Sequence, residues 1–206
     1  MQIKKAMILA AGYGKRMLPL TKTTPKPLIK LGQKNFLERS IELLIKLGVK
    51  EIVLNMYYLS SEIEEFIKKK NYEASISLIK EEELLDTGGG IFNATKQFED
   101  EPFFVLNPDT IWNKNYYEEL KMLENFYFTS KKPVLLLVNK NKSHDKSFKG
   151  DFNLSNNHII TRGKNNSHIF TGAQIINRSI FGEIQKKIFS MNLIWNQLVQ
   201  KKILLA

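Results

Sequence analysis

An apolar run, Met7-Ile8-Leu9-Ala10-Ala11, gives way at once to Gly12-Tyr13-Gly14-Lys15-Arg16, two glycines and then two cations. Glycines let backbone N–H groups approach phosphate oxygens closely, and the cations add charge and further donors. Taken alone, the Gly12-x-Gly14 pair suits a tight turn with surface charge better. The wider segment excludes two familiar loops. A dinucleotide-binding loop needs a third glycine where Met17 stands, and a P-loop needs Ser or Thr where Arg16 follows Gly14-Lys15. Further on, Pro25-Lys26-Pro27-Leu28 sets a lysine between two prolines, which stiffen the backbone that presents it.

Two more segments carry candidate chemistry. Leu85-Asp86-Thr87-Gly88-Gly89-Gly90-Ile91 sends three glycines into a helix, at a cost of about 1 kcal/mol each relative to alanine. A flexible loop explains them, and so does close passage of a ligand past a helix N-terminus at Gly88. Asp109 follows the apolar run 103–106 through Asn107-Pro108. A carboxylate at a strand end can hold Mg²⁺, which bridges phosphate oxygens; a turn aspartate after Pro108 is the plainer alternative.

Alternating elements must position these groups. Strands are expected at 5–10, 51–55, 74–79, 102–106 and 134–138, with near-continuous apolar character in the first, as in a sheet covered on both faces. Helical spacing marks 36–47, closed by Gly48; a capping box of Ser61 with Glu64 opens a helix to about residue 70. Further helices are expected at 91–98, 116–126, 180–189 and 193–202. Short β-like pieces fall at 148–154, 158–162 and 169–176. The β-α-β order implies an α/β, Rossmann-like, doubly wound and mainly parallel sheet, helices on both faces, with a small β-rich elaboration in the second half. Ligands then bind at the carboxyl ends of the strands.

The joint pattern Leu9-Ala10-Ala11-Gly12-x-Gly14-x-Arg16-Met17-x-Pro19-Leu20-Thr21, then Pro25-Lys26-Pro27-Leu28, resembles the signature of the sugar-1-phosphate nucleotidyltransferase family. The resemblance runs over essentially all 206 residues. Thr87-Gly88-Gly89-Gly90 is similar to the form found in the N-acetylmuramate-1-phosphate uridylyltransferase group and in related heptose-1-phosphate enzymes. The resemblance implies one domain, with residues 1–110 as the nucleotide-binding half and 111–206 as the sugar-phosphate half. It also implies a nucleoside triphosphate held by Leu9, Ala11, Gly12, Gly14, Lys15, Arg16, Lys26, Gly88 and Asn107. Arg16, Lys26 and Asp109 carry catalysis on this reading, with Mg²⁺ on Asp109. Asp151 of Gly150-Asp151-Phe152, with Thr171 and Gly172 of Phe170-Thr171-Gly172, would meet the sugar phosphate. Arg162 and Lys164 are lesser candidates for it.

UTP with N-acetylmuramate 1-phosphate is the substrate pair this implies. Guanylyl transfer to heptose or mannose 1-phosphate, cytidylyl transfer to a small alcohol phosphate, and a sugar-nucleotide-binding module without turnover stay open. The chain departs from the family twice. Asn107-Pro108-Asp109 stands where Asn-Gly-Asp is usual, and the late Trp-x-Asp-x-Gly-Thr segment with a second metal aspartate is missing.

Composition narrows the remaining classes. With no cysteine, disulfides, thiolate metal sites and a cysteine nucleophile are excluded. The formal net charge of +10 suits anionic substrates. Its lysines lie in short dispersed groups such as Lys68-Lys69-Lys70, without an arginine stripe, so a nucleic-acid partner is not expected. His144, His158 and His168 lack metal-ligand spacing. The short apolar run at 6–11 reads as a buried strand and no run is long enough to span a bilayer, so a cytoplasmic, membrane-free protein is expected.

Overall fold

The computed structural model describes residues 1–182 and 184–206. In chain order the elements are β1 (Lys5–Leu9), β2 (Lys30–Leu31), β3 (Lys34–Asn35), α1 (Phe36–Lys46), β4 (Glu51–Met56), α2 (Ser60–Lys68), β5 (Ser75–Lys80), α3 (Asp86–Ala94), β6 (Phe103–Leu106), α4 (Tyr116–Ser130), β7 (Val134–Asn139), β8 (Asn153–Leu154), β9 (Ile160–Thr161), β10 (His168–Ile176) and α5 (Met191–Gln200). Six strands form one sheet in the order β5-β4-β1-β6-β10-β7. β1 pairs in parallel with β4 and β6, and β4 with β5; β10 runs antiparallel to β6 and β7. This is the expected doubly wound, mainly parallel α/β fold.

Period-two alternation divides the core into two layers, one on each face of the sheet. Ala6, Ile8, Ile52, Leu54, Phe104 and Leu106 face α1, α2 and α4, through residues such as Leu37, Ile41, Ile63, Leu120 and Leu123. Met7, Val53, Phe103 and Val105 face the opposite way, onto Ile91 of α3 and Ile194 and Leu198 of α5. Each central strand is therefore buried on both sides, which is why it reads as a continuous apolar run.

The chain leaves β1 toward β4 and β5, then crosses back to place β6 on the other side of β1. That reversal makes a switch point, and a crevice opens above the carboxyl ends of β4, β1 and β6. The polar second half adds the β8–β9 hairpin. The last residues complete the edge at β7. Leu205 bridges Val134 in parallel and Ile159 antiparallel, and the Leu135 N–H donates to the Leu205 carbonyl at 2.8 Å.

Three local expectations differ from the structure. The Ser61–Glu64 capping box does not form: the N-cap lies two residues earlier, at Leu59 in the left-handed region at φ 48°, with no side-chain cap. The described residues of 180–189 form no α-helix. A 3₁₀ turn covers Arg178–Phe181, residues 184–189 carry neither helix nor strand, and Phe189 bonds sideways to the start of α3. The helix expected at 91–98 begins at Asp86 and ends at Ala94, so the three glycines lie inside it.

Candidate active site

Loops after β1, β5 and β6 reach the crevice, and each is fixed from below. After β1, the buried Asn55 at the end of β4 accepts the Ala10 N–H on Oδ1 at 3.0 Å. Its Nδ2 donates to Glu81 Oε1 at 2.7 Å, and Glu81 Oε2 accepts the Leu85 N–H at 3.1 Å. Burial pushes the Glu81 carboxyl up from its ordinary range, and these two hydrogen bonds oppose the shift. One polar chain thus ties the glycine loop to the start of α3.

The loop itself presents free donors. Gly14 turns through the left-handed region at φ 64°, and the Met17 N–H closes the turn onto the Gly14 carbonyl at 2.8 Å. Among the described residues the N–H groups of Gly12, Tyr13 and Gly14 meet no protein acceptor. A β-carbon on Gly12 would meet nothing within 4 Å. Such a row of unspent amides is a receptor for anionic oxygens.

Lys26 begins a 3₁₀ turn after Pro25, closed by the Leu28 N–H on the Pro25 carbonyl at 2.8 Å. Its ammonium pairs with the Asp109 carboxylate. The Asp109 loop is in turn held by the Trp112 indole N–H, which donates to the Asn107 carbonyl at 2.8 Å. The Asn107 N–H donates to the Gly172 carbonyl, also at 2.8 Å. Trp112 itself is buried in the core.

Two cavities meet here. The first, of about 650 Å³, is lined by Leu9, Ala11, Gly12, Gly14, Lys15, Arg16, Lys26, Asn107 and Asp109, and further along by Asn55, Leu84, Asp86, Thr87 and Ile188. The second, of about 470 Å³, is lined by Asp151, Thr171 and Gly172, with Phe148 and Lys149. Arg16, Asn107 and Asp109 line both. They form the partition where two ligands would touch.

Gly88 is the exception among the proposed contacts. It does not line the cavity, because its missing side chain makes room for Phe189, whose ring would lie 2.5 Å from an added β-carbon. Gly89 likewise accommodates the Lys187 carbonyl at 2.3 Å, and Gly90 the Asn55 amide at 2.7 Å. Packing explains the three glycines, and their neighbours Asp86 and Thr87 face the cavity instead.

In the second cavity the expected groups are partly engaged. Asp151 Oδ2 accepts the Phe170 N–H at 2.9 Å, and the Thr171 hydroxyl donates to the Leu136 carbonyl at 2.8 Å. Gly172, at φ 94°, is needed for close approach to Asn107, 2.9 Å from an added β-carbon. Arg162 faces away: it stacks on Phe152 and bonds Asn192 at 2.6 Å.

Asn55, Glu81 and Ile188 escaped the sequence reading. A polar residue ending the apolar strand 51–55 is the signal that would have found Asn55. Nothing local marks Ile188, which reaches the cavity only through the bonding of its segment to α3.

The donor set at Asp109 suits one hard cation. It offers one carboxylate beside open phosphate-sized space, and no cluster of three or more His, Cys, Asp or Glu exists among the described residues. Mg²⁺ is commonly held by one or two carboxylates, with phosphate oxygens and water completing its shell. Among the described residues no helix is long and apolar enough to cross a membrane.

A ligand crevice at the switch point of a doubly wound sheet, with unspent amides and cations on one wall, defines the class of α/β proteins to which this fold and site belong. Residues 5–148 match the Nucleotidyl transferase family, and the chain belongs to it. It is 40% identical over 121 residues to mannose-1-phosphate guanylyltransferase catalytic subunit beta of Danio rerio, covering 57% of this chain and 34% of that protein. It is 37% identical over 140 residues to the mannose-1-phosphate guanyltransferase of Debaryomyces hansenii, covering 66% of this chain and 38% of the other. The chain thus spans little more than a third of the length of these curated relatives.

Among solved structures, HddC of Yersinia pseudotuberculosis complexed with GMP-PN superposes with a TM-score of 0.74 at 27% identity, over 93% of this chain and 84% of that one. The inositol-1-phosphate CTP transferase of T. maritima shares the fold, with a TM-score of 0.77 at 16% identity, over 100% of this chain and 85% of that one. The two curated relatives named here are mannose-1-phosphate guanylyl enzymes, not the muramate uridylyltransferases that the glycine segment suggested.

Proposed function

We propose that the chain transfers a nucleoside monophosphate, with GMP the leading candidate, from its triphosphate to a hexose 1-phosphate such as mannose 1-phosphate, releasing pyrophosphate. The observation that carries this is the shared partition: Arg16, Asn107 and Asp109 border both cavities, so two ligands can meet with their phosphates in contact. GTP replaces UTP as the first choice because mannose-1-phosphate guanylyl enzymes match at 37–40% identity.

The triphosphate lies along the Gly12–Gly14 amides, beside Lys15 and Arg16. A sugar-phosphate oxygen from the second cavity attacks the α-phosphorus, a P–O bond forms, and the bond to the bridging oxygen of pyrophosphate breaks. No covalent enzyme intermediate is needed; positioning and charge neutralisation supply the catalysis. Lys26 leaves Asp109 to offset charge on the α-phosphate. Arg16 spans both phosphates at the partition. Asp109 would hold Mg²⁺, which when bound neutralises charge on phosphate oxygens.

The test is a pyrophosphate-release screen of the four nucleoside triphosphates against a panel of sugar 1-phosphates. GTP with mannose 1-phosphate is expected to lead, and Asp109→Ala to lower that turnover by about a hundredfold to a thousandfold. Wild-type turnover in Asp109→Ala would refute the assignment. Nucleotide binding without turnover on any sugar would instead favour a binding module.

A further inference from the structure

The first cavity has two chemically different ends. Lys26, Arg16 and Asp109 mark one, at the β1–β6 side. Leu84, Asp86, Thr87 and Ile188 mark the other, beyond β4. The distance across β4, β1 and β6 is about 10 Å at the usual strand spacing. With phosphates at the cationic end, the nucleobase falls at the other, where Leu84 and the half-exposed Ile188 offer apolar walls for its faces.

A base also needs its edge read, and almost every polar group near that end is already committed. Asn55 spends its oxygen on Ala10 and its nitrogen on Glu81. Glu81 spends both oxygens on Asn55 and Leu85. The Thr87 hydroxyl accepts the Met191 N–H at 2.8 Å. Asp86 differs. Its Oδ1 accepts the adjacent Thr87 N–H at 2.6 Å, its Oδ2 meets no protein donor among the described residues, and its backbone sits in the left-handed region at φ 59°. That conformation is uncommon for a residue with a side chain and is a reason to look for function.

We propose that Asp86 reads the base, and that it selects bases carrying a ring N–H. An ionised carboxylate only accepts hydrogen bonds. Guanine and uracil present a ring N–H at the pairing edge, whereas adenine and cytosine present a ring nitrogen lone pair there, which the carboxylate repels. Guanine adds a second, adjacent donor in its 2-amino group, so it alone matches both carboxylate oxygens once Thr87 shares Oδ1. The inference rests on the nucleotide orientation given under the proposed function, and it extends that reading to base choice.

Equilibrium binding of GTP, UTP, ATP, CTP and N1-methyl-GTP to the full chain tests it, alongside Asp86→Asn. Asparagine tolerates the same backbone region and keeps one acceptor, but presents an amide donor that suits adenine and cytosine. Wild type is expected to prefer GTP and UTP over ATP and CTP, and to bind N1-methyl-GTP poorly. In Asp86→Asn that preference is expected to fall by about tenfold to a hundredfold, the worth of one charged hydrogen bond. An unchanged ratio in a variant of wild-type melting temperature overturns the inference and leaves the transferase reading standing. A ratio that falls while wild type shows no pyrophosphate release does the reverse. Failure of wild type to bind any nucleotide would end both.

Discussion

The β-carbon direction of Gly12 opens onto empty cavity, whereas that of Gly14 points at the Thr21 methyl group, 2.8 Å from where an added carbon would sit. The two glycines stand two residues apart and serve different ends. Gly14 also needs φ 64°, so Gly14→Ala is expected to cost about 1–3 kcal/mol in denaturant unfolding. Gly12→Val should leave the melting temperature near wild type and sharply weaken nucleotide binding, since the added methyl groups occupy the phosphate path. A Gly12→Val protein that bound nucleotide normally would argue against the amide cradle. Residue types were legible here because phosphate chemistry demands them: glycine, cations and a strand-end carboxylate announce themselves at Gly12, Lys26 and Asp109. Asp86 did not, because a carboxylate beside three glycines has many ordinary explanations.

α3 shows why elements are harder to bound than to detect. Its glycines disguised its first turn as a loop, since helix propensity there is poor. Tertiary contact overrides that penalty. The Gly89 N–H donates to the Phe189 carbonyl at 2.9 Å, and the Phe189 N–H to the Leu85 carbonyl at 3.2 Å. This pair of bonds fixes Phe189 beside α3, so the helical spacing seen at 180–189 goes unused. Gly89→Ala gains about 1 kcal/mol of propensity, but its methyl would stand 2.3 Å from the Lys187 carbonyl oxygen, which is backbone. Overpacking of that kind costs about 1–3 kcal/mol, so Gly89→Ala should lower stability in a urea melt. A stabilised variant would mean that the 187–189 segment yields freely. By contrast α1, with Asn35 Oδ1 accepting the Glu38 N–H at 2.7 Å, matched its apolar periodicity closely.

For the molecule as a whole, the alternation of apolar strands and amphipathic helices was enough to give a doubly wound sheet and the edge on which ligands sit. The insertion of β10 between β6 and β7 was not legible. It depends on a long polar stretch folding back so that Gly172 reaches Asn107, and no local pattern encodes so distant a contact. The same fold-back brings the final residues beside β7, at the sheet's outer margin. There the Leu205 N–H donates to the Pro133 carbonyl at 3.0 Å and the Ala206 N–H to the His158 carbonyl at 3.1 Å. An open strand margin invites pairing with other molecules. Residues 204–206 therefore hem the margin of β7 at residues 133–135, where its backbone groups would otherwise be unpaired. Deleting them should leave concentrated protein prone to self-association on storage, visible as rising light scattering, with little initial change in far-ultraviolet dichroism.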